Sequence, residues 1–270
     1  MKRLFGVASG FFAEPTSEKW RSAVEAGLTE AELGFSYGLS DGDMAEKAER
    51  DYKMLVGSGV SVSSCHLPFV GYDISSLDEP ARSNAVAALK NFIGWSADRN
   101  IKMAILHASF EPISPEERPM RLEKSAENIR ELGRYANERG VVLAVENLPR
   151  TCIGNCSDEM LFLTDSGKNA AICFDVNHLL IETHAEFYEK VAPYAVTTHL
   201  SDYDRIDERH WIPGDGCIDW GELGQLFEKR NYAGRYIFEI DENSSPKLCR
   251  AFSPAELIER FKKIIKQGGM

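Results

Sequence analysis

A short apolar run closed by a carboxylate or an imidazole recurs along this chain, and that recurrence restricts the fold more than any other feature of the sequence. One copy runs from Ala170 to His178. It is too brief for a helix and follows the polar turn Gly167-Lys168-Asn169, so it reads as a buried strand. At its end stand Asp175 and His178, a hard oxygen and an imidazole nitrogen that can both turn toward one cation. Taken alone, the same residues fit a second arrangement, in which Asp175 caps a helix beginning near Leu179 and His178 lies solvated in its first turn. Repetition of the pattern tips the balance toward the cation.

The copies are separated by helical segments. Leu4-Phe5-Gly6-Val7-Ala8 reads as the first strand, entered straight from Met1-Lys2-Arg3, and a helix through Glu18-Lys19-Trp20 to Glu25-Ala26 stops at Gly27. Thr29 to Phe35 is the second strand, Asp43 to Val56 a helix ending at Gly57, and Val60 to Cys65 the third strand, which delivers His66. Arg82 to Arg99 is helical, with Val86, Leu89, Phe92, Ile93 and Ala97 near helical spacing. Ile101 to Leu106 delivers His107, the charged helix Pro119 to Glu138 stops at Gly140, and Val141 to Val145 delivers Glu146. The stretch from Ala170 is the sixth strand. A helix over Ala185 to Val191 precedes the seventh, Tyr194 to Thr198, which delivers His199. A helix containing Leu223 to Lys229 precedes the eighth, Tyr236-Ile237-Phe238, which delivers Glu239, and Pro254 to Lys266 closes the chain as a helix.

Strands alternating with helices in this way, with no long linker, predict an α/β fold: one closed parallel (β/α)8 TIM barrel filling residues 1–270 as a single domain. The length of 270 residues suits it, since such barrels take about 250. His66, His107, Glu146, Asp175, His199 and Glu239 lie 24 to 41 residues apart, about one strand plus one helix each time. All six therefore fall at the C-terminal end of the barrel, where active sites of this fold are built.

Composition narrows the partners. Apolar content of 43% and charged content of 27% are those of a soluble globular protein, and no run approaches the roughly 18 apolar residues of a membrane span. A cytoplasmic location is the default expectation, with no membrane partner. A net charge of −11 argues against a surface made to hold nucleic acid. Cys65, Cys152, Cys156, Cys173, Cys217 and Cys249 are scattered as reduced thiols would be, and the C-x3-C spacing of Cys152 and Cys156 lacks the second ligand pair that a zinc site needs.

The six strand-end groups are joined by His178, just beyond the sixth strand, and by His210 in the loop after the seventh. His184 stands apart and reads as a structural residue on the polar face of a helix. Singly, each of these groups has an ordinary explanation as a core histidine or a cap. Their gathering at one end of the fold points to a divalent-metal site. Phe11, Phe12, Phe69 and Trp211 lie in strand-end loops, where they either wall a pocket or pack on neighbouring loops.

Several segments carry a resemblance. Ser64-Cys65-His66-Leu67-Pro68, Ala144-Val145-Glu146-Asn147-Leu148-Pro149, Phe174-Asp175-Val176-Asn177-His178, Thr198-His199-Leu200-Ser201-Asp202 and Pro213-Gly214-Asp215-Gly216-Cys217-Ile218-Asp219-Trp220 resemble the xylose-isomerase-like TIM barrel superfamily. That superfamily includes sugar and sugar-phosphate isomerases, ketose 3-epimerases, inosose dehydratases and abasic-site nucleases of the endonuclease IV type. The resemblance implies a divalent metal, Mn, Mg, Co or Zn, held by Glu146, Asp175, His199 and Glu239. It implies that His178 and Arg205 contact a sugar, with His66, His107 and His210 around it. Glu208-Arg209-His210 resembles the Asp-Arg-His of the nuclease branch, which makes Glu208 and His210 candidate ligands of an additional metal.

The leading expectation is therefore a metal-dependent sugar or sugar-phosphate isomerase or epimerase. A cation on the developing enediolate oxygen would lower the barrier, with Glu146 and Glu239 as the acid/base pair from nearly opposite sides of the mouth. The alternatives are an abasic-site nuclease and an inosose-dehydratase-like lyase. The expected partner is a small sugar or sugar phosphate, and a homo-oligomer is compatible with the sequence.

Overall fold

In the computed structural model, which describes residues 4–266, eight parallel strands close into a barrel in sequence order. The strands are β1 (Phe5–Ala8), β2 (Leu28–Gly34), β3 (Ser61–His66), β4 (Met103–His107), β5 (Val142–Glu146), β6 (Ala171–Asp175), β7 (Ala195–Leu200) and β8 (Arg235–Phe238), and β8 pairs back onto β1. The helices between and after them are α1 (Ser17–Ala26), α2 (Asp41–Gly57), α3 (Glu79–Asp98), α4 (Arg118–Asn137), α5 (Ser157–Thr164), α6 (His184–Val191), α7 (Trp220–Lys229) and α8 (Pro254–Ile264). The expected lead-in through Met1-Lys2-Arg3 lies outside the described residues. Among the described residues no helix is long and apolar enough to cross a membrane.

Local chemistry sets the boundaries. Thr16, Ser40, Asp78, Thr183, Asp219 and Ser253 each accept a backbone N–H in the first turn of their helix, and Thr183 and Ser253 form full capping boxes with Glu186 and Glu256. Gly27 ends α1 at φ 103°, a left-handed conformation that glycine adopts without a Cβ clash. The segment between the fifth and sixth strands holds the short helix α5, whose eight residues are too few to show a clear period in the sequence. No helix begins near Leu179, and α6 starts only at His184 under its Thr183 cap.

The main core fills the space between the barrel and the helices, while Met103, Ile105, Ala144 and Cys173 form a small separate core among the strands. Other positions in the strands are polar. Arg235 of β8 pairs with Glu30 of β2 at 2.6 Å, and Glu32 of β2 accepts from Ser64 Oγ of β3 at 2.7 Å. Register completes the arrangement at the other end: His107 stands beside Glu146, and Asp175 beside His199.

Candidate metal centre

Glu146 is the hub. It is fully buried at the end of β5, and each of its oxygens lies near imidazole nitrogens from different strands. Oε2 lies 3.1 Å from Nε2 of both His66 and His107, whereas Oε1 lies 2.9 Å from His199 Nδ1 and 3.5 Å from His178 Nδ1. Burial alone would raise this carboxyl, but His199 and His107 hold it well below the usual range. His107 is kept in place by Phe69, stacked on its ring at 4.0 Å.

Asp175 caps a turn and not a helix. Its Oδ1 accepts from the backbone N–H groups of Asn177 and His178, capping the turn after β6, while Oδ2 is buried without a partner. Asn147 fixes the strand end through two bonds, accepting from Asp175 N at 2.8 Å and donating to Asp175 O at 2.9 Å. Burial, then Glu146 and Glu239, push Asp175 well above the carboxylate range. Glu239 presents a second buried and unpartnered oxygen, Oε2, 3.2 Å from His199 Nδ1.

One donor atom each from Glu146, Asp175, His199 and Glu239 lies within 4.8 Å of the others. Three carboxylates so close repel one another, and two of them keep an orphaned oxygen. Hard oxygen donors with one imidazole suit a divalent cation, so the residues present fit the metal that the sequence implies.

Around this group stand the other residues singled out from sequence. His66 has Nδ1 3.0 Å from Leu67 O and Nε2 on Glu146, so both ring nitrogens face acceptors; burial opposes a second proton, but Glu146 raises the ring to about 9. His178 donates from Nδ1 to Asn147 O at 2.9 Å, which leaves Nε2 toward Glu208. His210 donates from Nδ1 to Glu239 O and lies 3.3 Å from Glu208 through Nε2; against burial, Glu208 lifts it to about 10. His178, Glu208 and His210 form a separate group of close donors, as do His66, His107 and Glu146.

Arg205 is exposed at φ 62°, and its charge acts on Tyr203, His184, Glu186 and Cys217. His184 is structural but buried rather than polar-faced, with Nε2 donating to Val176 O at 2.8 Å. Of the loop aromatics, Phe11 and Phe12 are buried against each other, and Phe69 touches the candidate site through His107 and His66. All six cysteines are free, and none belongs to a donor group among the described residues.

Sequence reasoning missed three residues. Glu32 of β2 lies 2.9 Å from His199 Nε2, and two glutamates two apart in a buried strand were its available signal. Arg150 reaches Glu111, Asp207 and Glu208 from the loop after β5. Tyr37 packs on Phe69 at 4.9 Å, and burial, then Glu239, Glu146 and Glu208, push its hydroxyl up, which sets it at the mouth of the site.

Comparison with known proteins agrees with this architecture. Residues 20–264 match the family model described as xylose isomerase-like TIM barrel. A D-psicose 3-epimerase of Enterocloster bolteae is 30% identical over 122 residues, 43% of this chain but only 39% of that enzyme. A D-psicose 3-epimerase of Agrobacterium fabrum is 24% identical over 213 residues, 74% of this chain and 70% of the relative. Among solved structures, a D-tagatose 3-epimerase-like protein superposes with a TM-score of 0.75 at 20% identity, over 98% of both chains.

Proposed function

Because the chain belongs to the xylose isomerase-like TIM barrel family, we propose that it is a divalent-metal-dependent sugar isomerase or epimerase. One observation carries the reading: Glu146, Asp175, His199 and Glu239 converge within 4.8 Å, with orphaned oxygens on Asp175 and Glu239. The sugar epimerases among its relatives support the same substrate class.

A divalent ion bound there would polarise a sugar carbonyl and so acidify the neighbouring C–H. The remaining work falls to side chains. Glu146 and Glu239 descend from β5 and β8, three places apart around the ring, so they address a bound sugar from different sides. One takes a proton from the carbon while the other returns one to the opposite face, which inverts that centre. His66 and His107 hold Oε2 of Glu146 and His199 holds Oε1, so one oxygen must part from an imidazole to work on the substrate. Glu239, 27% exposed, is the carboxylate that a substrate meets first. His178 Nε2 and His210 supply contacts for sugar hydroxyls, while Phe69 and Tyr37 cover one side against water.

The mouth favours an unphosphorylated sugar. Arg150 is held by three carboxylates and Arg209 by Asp204, so neither is free for a phosphate. The same pairing favours one metal over several, because Arg150 sits 2.8 Å from Glu208 and already offsets its charge.

The test is incubation of the metal-loaded protein with a panel of ketoses and their phosphates, with products separated by chromatography. Conversion of a ketose to its epimer or aldose, abolished by chelator, is the expected result. A second reading, abasic-site nuclease, draws on the extra donor groups His66-His107-Glu146 and His178-Glu208-His210. Nicking of abasic duplex DNA with no turnover of any sugar would replace the first reading by the second, and water loss from a keto-polyol would mark a dehydratase.

A further inference from the structure

The fully buried His199 ring faces a different carboxylate group with each of its two nitrogens. Nδ1 looks toward Glu146, Asp175 and Glu239, at 2.9, 3.8 and 3.2 Å, whereas Nε2 lies 2.9 Å from Glu32 Oε1. Glu32 is 2% exposed in the middle of β2. Its register partner across the strand pair is Ser64, whose hydroxyl donates to Oε2 at 2.7 Å. The nearby Arg235 is taken by Glu30 instead. A buried carboxylate needs compensating partners, and for Glu32 these are a serine hydroxyl and the His199 ring, with His66 next to them.

The two sides of the His199 ring differ in what they still lack. On the Nδ1 side, Asp175 Oδ2 and Glu239 Oε2 are buried and unpartnered. On the Nε2 side, both Glu32 oxygens already have a neighbour, although Oε1 stands off the N–H axis and Nε2 makes no aligned hydrogen bond. The side with orphaned oxygens is the one that gains from a cation. In the metal-free ring Nδ1 donates to Glu146 Oε1 at 2.9 Å, and a cation entering on that side displaces this proton, leaving Glu32 as the acceptor that favours one on Nε2.

We propose that Glu32 is a positioning residue of the metal centre, keeping the His199 proton on Nε2 so that Nδ1 is free to present its lone pair to a cation held together with Glu146, Asp175 and Glu239. This rests on the function proposed above and adds the group that sets the ligand's tautomer. Carboxylates that orient a ligating histidine in this way typically contribute about 10–100-fold in metal affinity. Ser64 keeps the carboxylate turned, so the arrangement runs from β3 through β2 to β7 within the barrel.

The test measures metal binding, with no turnover involved. Mn²⁺ is titrated calorimetrically into the wild type, Glu32→Gln, Glu32→Ala and Ser64→Ala. Glu32→Ala should weaken binding about 10–100-fold. Glu32→Gln, which keeps an acceptor oxygen of the same reach, should recover part of that loss, and Ser64→Ala should lose least. In Zn²⁺-loaded protein carrying ¹⁵N-labelled histidine, His199 should show its proton on Nε2 in the wild type and a mixture of tautomers in Glu32→Ala, a change that mere loosening of β2 would not produce. If Glu32→Ala fails to fold, Glu32→Gln decides alone. A wild type that binds Mn²⁺ beside Glu32 variants that bind it equally well overturns this inference and leaves the proposed function standing. A wild type that binds no divalent ion overturns both.

Discussion

Acid should loosen the backbone behind Asp175, and the cause is His184. Its imidazole is buried at the start of α6 and donates from Nε2 to the carbonyl of Val176, the residue after Asp175. Burial lowers its pKa from 6.5 to about 4. The native state therefore keeps this ring neutral while the unfolded chain takes up a proton. Between about 4 and 6.5 the unfolded state binds more protons, so stability rises with pH across that window. The contribution is fully present above 6.5, falls away as the pH descends, and is gone below about 4. At ~1.4 kcal/mol per pH unit, the whole window is worth about 3 kcal/mol. Urea unfolding of the wild type and of His184→Gln, which keeps a donor for Val176, measures it, because other acid-titrating groups are common to both proteins. The wild type should lose about 3 kcal/mol more than the variant between pH 7.5 and pH 4. Parallel losses would show that His184 is not the buried neutral ring described.

Three further outcomes follow from the site. Asp175→Asn removes a charge that burial and two neighbouring carboxylates already disfavour, so the metal-free variant should be no less stable than the wild type in a thermal melt while Mn²⁺ affinity falls by more than about 100-fold; a lowered metal-free Tm would contradict the repulsion. Metal analysis after dialysis should find about one tightly held divalent ion per chain, unchanged in Glu208→Ala, because Arg150 already pairs with Glu208; two or three zinc ions would favour the nuclease reading. Arg205→Ala should leave metal content intact and change kcat/KM by less than about threefold, as surface substitutions do; a tenfold rise in KM would mean that the loop turns this guanidinium onto the substrate.

The barrel was readable because periodicity and punctuation agree along almost the whole chain. Six of the eight strand runs end at a carboxylate or an imidazole, and register then needs only to align neighbouring strand ends, as it does for His107 with Glu146 and Asp175 with His199. The donors that close strands were readable for the same reason. What escaped lies where local pattern carries a weak signal or none. The α5 helix is two turns long, Glu32 stands in mid-strand, and the partners of Arg150 come from loops 39 to 58 residues away in sequence. Arg205 stands exposed in the loop after β7, at a positive φ that the sequence did not signal. Phe11 and Phe12 likewise sit in a strand-end loop, yet packing against Trp20 and Phe252 takes them into the core.

The central claim is that Glu146 and Glu239 move a carbon-bound proton of a sugar held between them. Exchange of that proton for deuterium, followed by mass spectrometry of the substrate in D₂O, tests it most directly, using metal-loaded wild type, Glu146→Gln and Glu239→Gln. The wild type should introduce one deuterium at the reacting carbon, and each glutamine variant, with metal at least partly retained, should slow the exchange by about 10²–10⁴-fold. A variant that still holds its metal and exchanges at the wild-type rate would contradict the two-carboxylate account.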